Sequence, residues 1–278
     1  MRFFKMNGCG NDFVIFDARA HGALQLTPAQ ARAIADRTEG VGCDQVIAIE
    51  RSIRGDAFMR IWNADGAEVS ACGNGTRAVA SILIDEQREA GPVKIETLAG
   101  VLKAERTSDG LYSVDMGSPL LKGEEVPLAQ AMDTVRLDYV VDVGLFRLES
   151  PGACNMGNPH VVFFLDNVAR VPVATIGPRV ETDPLFPEGV NVGFAQILSD
   201  RRIRLRVWER GAGLTKACGT GACAAAVTAH RAGLTERDVT VELDGGELHI
   251  DWRASDDRVV MTGPVELERV GDLSASAI

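Results

Sequence analysis

The chain has 278 residues, enough for two domains of ordinary size, each with its own core. A hydrophobic content of 46% fits a soluble globular protein, and a net charge of −10 argues against a nucleic-acid or anionic-membrane surface. No apolar run is long enough to cross a bilayer, and polar residues interrupt Met1-Arg2-Phe3-Phe4-Lys5 too early for a signal peptide. A cytoplasmic protein with six free cysteines is therefore expected.

Phe3 to Asp17 alternates and is rich in Phe and Val, so it predicts strand, turn, strand. Thr27 to Arg37 has a capping Thr, Pro28 at the first helical position, and Ala31, Ile34 and Ala35 at helical spacing. Gln45 to Glu50 and Asp56 to Asn63 read as short strands, and Gly75 to Glu86 as a helix. Val93 to Ala104 and Leu111 to Met116 read as a hairpin. Farther on, Arg202 to Glu209 is a strand, Gly221 to Ala232 a helix, and Val239 to Met261 hairpin strands. The expected class is α+β, with mixed or antiparallel sheet and one long helix per lobe. The chain does not alternate βαβ, and Gly73-x-Gly75 is too short for a dinucleotide fingerprint.

The second half of this order repeats the first. Ala71-Cys72-Gly73-Asn74-Gly75 returns as Ala217-Cys218-Gly219-Thr220-Gly221, an offset of 218 − 72 = 146. Gly10-Asn11-Asp12-Phe13-Val14 is echoed by Gly157-Asn158-Pro159-His160-Val161, and Glu39-Gly40-Val41 by Glu188-Gly189-Val190. Asn63 precedes Cys72 by the same interval that separates Glu209 from Cys218. Met116-Gly117-Ser118-Pro119 is echoed by Met261-Thr262-Gly263-Pro264. Matches in one order at nearly constant offset indicate a duplicated unit. The expected lobes are residues 1–118, with 265–278 returning to them, and residues 119–264.

Each repeated cysteine stands immediately before a helix start. There, unpaired backbone N–H groups and the helix dipole favour an anion, either a thiolate or a bound carboxylate. Two such thiols, one per lobe, suit a two-base site in which one thiolate removes a proton and a thiol opposite returns one. Inverting a stereocentre requires that arrangement. The bland alternative is a pair of packing cysteines kept by the duplication. The absence of any Cys-x-x-Cys pair and the scatter of His21, His160, His230 and His249 argue against a metal site. Cys9, Cys43, Cys154 and Cys223 read as small packing residues.

Asn11, Asn63, Asn158 and Asn191 fall at strand ends or glycine turns. Asn often sits there for backbone reasons, but the repeated positions favour a polar pocket. Glu209-Arg210 reads either as a surface ion pair or as a clamp, with Arg210 on a carboxylate and Glu209 on an ammonium. His160 is either structural or a group that tunes a proton.

At these residues the sequence resembles the diaminopimelate epimerase family. The resemblance covers nearly the whole chain. It rests on Lys5-Met6-x-Gly8-x-Gly10-Asn11-Asp12-Phe13, Asn63-Ala64-Asp65-Gly66, Cys72-Gly73-Asn74-Gly75-Thr76-Arg77, Gly157-Asn158-Pro159-His160, Asn191-Val192-x-Phe194, Glu209-Arg210-Gly211-x-Gly213 and Ala217-Cys218-Gly219-Thr220-Gly221. It implies interconversion of LL- and meso-diaminopimelate without a cofactor or metal, in lysine and peptidoglycan precursor synthesis. It also implies two lobes, each with sheet wrapped around a central helix. For the LL substrate, Cys72 carries over as proton donor and Cys218 as acceptor. Substrate contacts carry over onto Asn11, Gln45, Asn63, Gly73, Asn74, Asn158, Asn191, Glu209, Arg210, Gly219 and Thr220, and modulation of the thiols onto His160 and Glu209. The expected partners are a small-molecule substrate and a second copy of the chain in a homodimer. Asn7 stands where the family usually has His, and Leu214 where it often has Glu. Two other readings remain: a proline racemase-like enzyme sharing the thiol pair, and a non-catalytic amino-acid-binding protein.

Overall fold

The structure is a computed structural model that describes residues 1–87 and 91–273. Two units divide the chain: Met1–Asp115 together with the segment from Thr262 onward, and Met116–Met261. The part of the expected returning segment at 274–278 lies outside the described residues.

In the first unit, β1 (Arg2–Gly8) and β2 (Asn11–Asp17) form an antiparallel hairpin. Its turn puts Cys9 at φ 59° and Gly10 at φ 81°, the doubly left-handed pattern of a tight hairpin turn. Gly10 adopts that conformation without strain, whereas Cys9 pays for its Cβ. Cys9 is thus a turn residue as well as the buried packing residue the sequence suggests.

Helix α1 (Pro28–Ala35) starts at a capping box, with the Thr27 hydroxyl accepting from the Gln30 N–H and the Gln30 side chain accepting from the Thr27 N–H. Strands β3 (Gln45–Glu50) and β4 (Ala57–Asn63) follow, then the two-residue β5 (Glu68–Val69). Helix α2 (Gly73–Glu86) comes next, then β6 (Val93–Thr97), β7 (Gly100–Arg106) and β8 (Tyr112–Asp115). The predicted hairpin is therefore a three-stranded antiparallel run, because the chain turns at Leu98-Ala99 inside the stretch read as one arm. Strand β2 pairs parallel with β3, β3 antiparallel with β4, and β4 parallel with β6.

In the second unit, β9 (Val140–Val143) and β10 (Phe146–Glu149) make a separate hairpin. Strands β11 (Gly152–Asn155) and β12 (Pro159–Phe164) are antiparallel, and helix α3 (Val173–Glu181) follows. Next come β13 (Asn191–Ser199), β14 (Arg202–Glu209), β15 (Gly213–Thr215), helix α4 (Gly219–Arg231), β16 (Asp238–Leu243) and β17 (Gly246–Trp252). The ladders repeat those of the first unit. β12 is parallel to β13, β13 antiparallel to β14, and β14 parallel to β16. The unit boundary falls within β18 (Val259–Gly263). The last strand, β19 (Glu266–Asp272), pairs antiparallel with β1.

Each unit wraps its strands around one helix. Every residue of α2 from Gly73 to Ile84 is buried, and in α4 Gly219 and all residues from Gly221 to Ala229 are buried. A helix buried on all sides turns no face to water, and α2 buries even the Arg77 side chain. Helix α2 packs on β1, β6, β7 and β8, and α4 on β11 to β14, β16 and β17. The architecture is α+β, with two units of repeated topology.

Helix α3 packs still more tightly. A Cβ on Gly177 would lie 2.3 Å from Cγ of Trp208. Trp208 donates from Nε1 to Glu181 at 2.6 Å, and the other Glu181 oxygen accepts from the Gly211 N–H at 2.8 Å. Helix α3 thereby fixes the end of β14 that carries Glu209 and Arg210. Gly177→Ala is expected to destabilise the protein by at least about 1–3 kcal/mol through overpacking. A thermal melt checks this, and an unchanged Tm would contradict the packing described.

Candidate active site

The two repeated cysteines are helix N-caps. Cys72 (φ −150°, ψ 111°) caps α2, and its Sγ accepts from the Gly75 N–H at 3.3 Å. Cys218 (φ −126°, ψ 111°) caps α4, and its Sγ accepts from the Gly221 N–H at 3.4 Å. A sulfur in the place usually taken by Ser, Thr, Asp or Asn faces the positive end of a helix, where a thiolate gains most. The glycine three residues on sits in a tight place. A Cβ on Gly75 would come within 2.8 Å of Ile47, and one on Gly221 within 3.2 Å of the Cys218 sulfur. The N–H groups of Gly73 and Asn74, and of Gly219 and Thr220, have no partner within their helices and are free to meet an anion.

In each unit the topology sets the polar residues singled out from sequence at neighbouring strand ends. In the first unit Asn11 opens β2, Gln45 opens β3 and Asn63 closes β4. In the second, Asn158 precedes β12, Asn191 opens β13 and Glu209 closes β14. Asn74 and Thr220 occupy the same place in the two helices. The duplication thus yields two sets with one plan: Asn11, Gln45, Asn63, Cys72 and Asn74; and Asn158, Asn191, Glu209, Cys218 and Thr220.

The first set is made of amides. Asn11 Oδ1 accepts from Asn74 Nδ2 at 3.4 Å and from the Cys72 thiol at 3.9 Å, while Asn11 Nδ2 donates to Asp44 at 2.9 Å. Gln45 Nε2 donates to Asn63 Oδ1 at 2.9 Å. Gln45 Oε1 and Asn74 Oδ1 are buried without a hydrogen-bond partner. Each such group costs about 1–3 kcal/mol when left unsatisfied, which suits acceptors that a ligand's donors complete.

The second set carries charge. The Cys218 thiol is pushed well above the ordinary thiol range, first by burial and then by the charge of Glu209, to which it also hydrogen-bonds. The Thr220 hydroxyl lies 3.6 Å from its sulfur. Glu209 in turn accepts from the Thr215 hydroxyl. His160 is buried, and burial, helped by the charge of Arg210, pushes its pKa down to about 3, so the ring is neutral at neutral pH. Its Nε2 lies 2.9 Å from Asn158 Oδ1, which places the ring proton on Nε2. Asn191 is committed to the backbone on both sides, donating to the Pro159 carbonyl at 2.9 Å and accepting from the Arg210 N–H at 3.0 Å. The exposed Arg210 donates to the Glu188 carbonyl at 2.7 Å.

The other cysteines are ordinary buried thiols. Burial pushes Cys43 and Cys154 up to about 12 and also raises Cys9, against the opposing charge of Arg77. Asn7 accepts from the Gly10 N–H at 2.8 Å and so secures the β1–β2 turn, while Leu214 points outward, 42% exposed.

Sequence reasoning missed a cluster of charges beneath Asn11. Arg37 donates to both oxygens of Asp12 at 2.9 Å and to Asp44 at 2.7 Å, and Lys5 pairs with Asp12. Burial would raise the Asp12 carboxyl, but Arg37 and Lys5 outweigh it and hold it far below the usual range. The only signal was the presence of Lys5 and Asp12 in the stretch from Lys5 to Phe13 that carries the family resemblance. Thr215 was also missed, because it reaches Glu209 only across the β14–β15 hairpin.

The sequence model of the family described as diaminopimelate epimerase matches residues 3–122 and 152–268. The diaminopimelate epimerase of Phenylobacterium zucineum (strain HLK1) is 55% identical over 271 residues, covering 98% of this chain and 97% of that protein. That of Acidiphilium cryptum (strain JF-5) is 53% identical, covering 99% and 97%. Among solved structures, a Bacillus anthracis phenazine biosynthesis protein of the PhzF family aligns with a TM-score of 0.68 at 14% identity, covering 99% of each chain. A probable proline racemase from Agrobacterium radiobacter K84 aligns at 0.67 and 16% identity, covering 99% of this chain and 93% of that one. These structural likenesses show the fold, whereas the sequence matches show the family: the chain belongs to the diaminopimelate epimerases.

Proposed function

We propose that this protein interconverts LL- and meso-diaminopimelate by proton transfer between two cysteines and the substrate α-carbon. The observation that carries this reading is the matched pair of N-capping thiols, Cys72 and Cys218, in a chain of this family. For the LL substrate Cys218, as thiolate, removes the α-proton and Cys72, as thiol, delivers one to the opposite face. The return reaction exchanges the roles. The raised affinity of Cys218 for its proton makes its thiolate a stronger base than a free thiolate, and Glu209, hydrogen-bonded to it, takes the proton that the Cys218 thiol must first lose.

The carbanion that forms is stabilised by donors already in place. The N–H groups of Gly73 and Asn74, and of Gly219 and Thr220, meet the α-carboxylate. Arg210 holds the carboxylate of the distal end, with Asn11, Gln45, Asn63, Asn158 and Asn191 as the remaining polar contacts. His160 acts through Asn158. The several Asn and Arg210 favour this reading over a proline racemase-like one, because they give a second polar head its partners.

We further propose that the reaction needs no cofactor or metal and that it runs in the cytoplasm, in lysine and peptidoglycan precursor synthesis. The chain acts as a homodimer, with residues 1–118 and 265–278 as one lobe and 119–264 as the other. No helix among the described residues is long and apolar enough to cross a membrane. Purified protein incubated with LL-diaminopimelate is expected to produce meso-diaminopimelate in the presence of a chelator. Activity that is lost on metal removal and restored by metal would overturn the cofactor-free reading.

A further inference from the structure

Asp44 lies outside every motif discussed so far, yet it is bonded directly to Asn11. Its Oδ2 accepts from Asn11 Nδ2 at 2.9 Å and from the Asp12 N–H at 3.1 Å, and its Oδ1 accepts from Arg37 at 2.7 Å. Its own N–H donates to Asp12 Oδ1 at 2.9 Å. The two carboxylates and Arg37 thus form one closed cluster at the start of β2 and β3.

An ionised carboxylate only accepts hydrogen bonds. Asn11 must therefore turn its NH₂ group toward Asp44, which leaves Oδ1 facing Cys72 and Asn74. Asn74 must in turn present its NH₂ group to Asn11, as it does at 3.4 Å, which leaves its own Oδ1 buried and open. An amide has two nearly isosteric orientations, and only its partners decide between them. Here one acceptor-only group decides for two amides in series.

We propose that Asp44 is a positioning residue that sets the hydrogen-bond polarity around Cys72 through Asn11 and Asn74. It makes Asn11 an acceptor toward the Cys72 sulfur, which favours the thiol over the thiolate and keeps Cys72 ready to donate. It also keeps Asn74 Oδ1 available as an acceptor for a ligand's N–H. The catalytic consequence rests on the epimerase reading; the effect on the thiol does not.

The test uses the full chain with three substitutions. Asp44→Ala removes the acceptor. Asp44→Ser, should the first variant fail to fold, keeps a hydroxyl near the Asp12 N–H but is too short to reach Asn11 Nδ2. Asp44→Asn keeps one amide oxygen for both donors and gives up only the contact with the exposed Arg37. Alkylation by iodoacetamide, followed site by site by mass spectrometry without substrate, reads the state of Cys72. Buried Cys43, next to Asp44, reports any local loosening.

Asp44→Ala and Asp44→Ser are expected to speed alkylation of Cys72 several-fold while Cys43 stays unmodified, because Asn11 is then free to turn N–H toward the sulfur. With LL-diaminopimelate, kcat is expected to fall about 10- to 100-fold, with a smaller change in KM, and Asp44→Asn to stay within about threefold of the unsubstituted enzyme. Unchanged alkylation of Cys72 in the Ala and Ser variants overturns the proposal, as does equal impairment of the Asn variant. An unsubstituted enzyme inactive on diaminopimelate would refute the functional reading, while the alkylation rates would still decide the relay.

Discussion

Cys72→Ser and Cys218→Ser are each expected to reduce epimerisation in both directions by at least about 100- to 10,000-fold, the range that general acid–base groups contribute. Serine tests the chemistry without disturbing the fold. It is among the preferred N-cap residues, and its hydroxyl takes the place of a sulfur that accepts from the Gly75 or Gly221 N–H. What serine lacks is acidity: at the substituted position a hydroxyl neither forms the anion that removes the α-proton nor delivers a proton as readily as a thiol. Loss in both directions follows because each direction uses one residue as acid and the other as base. Initial rates from LL- and from meso-diaminopimelate, with thermal melts alongside, check this. Near-normal turnover of either folded variant would contradict the two-base account.

Glu209→Gln is expected to have two effects of opposite sign. The Cys218 thiol is held high by burial and, after that, by the Glu209 charge and hydrogen bond. Removing the charge lowers the thiol toward its ordinary value, so Cys218 alkylation at fixed pH should accelerate. Turnover should nevertheless fall about 100- to 10,000-fold, because an amide cannot take the proton that Cys218 must lose. A merely structural Glu209, held by the Thr215 hydroxyl, would instead produce a lower Tm with unchanged alkylation of the folded protein.

The raised thiol also has a consequence for stability. Cys218 is protonated in the fold to higher pH than in the unfolded chain, so its burial is fully tolerated below the ordinary thiol pKa. The stability it contributes is lost as pH rises through the folded value. His160 gives the mirror case. It is neutral in the fold down to about 3, so stability is lost as pH falls from its ordinary value near 6.5 toward that point. The protein is therefore expected to be most stable between these limits.

The sequence revealed the parts of the fold that have local causes. Thr27, Pro28 and Gln30 announce α1 through capping chemistry, and the runs after Cys72 and Cys218 announce helices. The helices begin at Gly73 and Gly219 rather than at Gly75 and Gly221, because the cysteines themselves serve as caps. Helix α3 was missed: it has no side-chain cap and contains Pro178, and Gly177 is there for Trp208, which is distant in sequence. The β9–β10 hairpin was missed as well, since its exposed strands bury only Val143 and Leu148.

The site divides in the same way. Residues marked by the repeat, from Asn11 to Thr220, could be chosen from sequence alone. Asp44, Arg37 and Thr215 could not, because each acts through a partner brought close only by strand pairing. Arg77 likewise shows no sign in sequence that its charge is fully buried.

Incubation with LL-diaminopimelate in heavy water tests the central claim most directly. Two thiols that exchange with solvent should place deuterium at the inverted α-carbon of the first meso product, while unreacted LL substrate stays unlabelled at early times. Product without deuterium, or substrate and product labelled equally from the start, would contradict proton transfer by Cys72 and Cys218 acting from opposite faces.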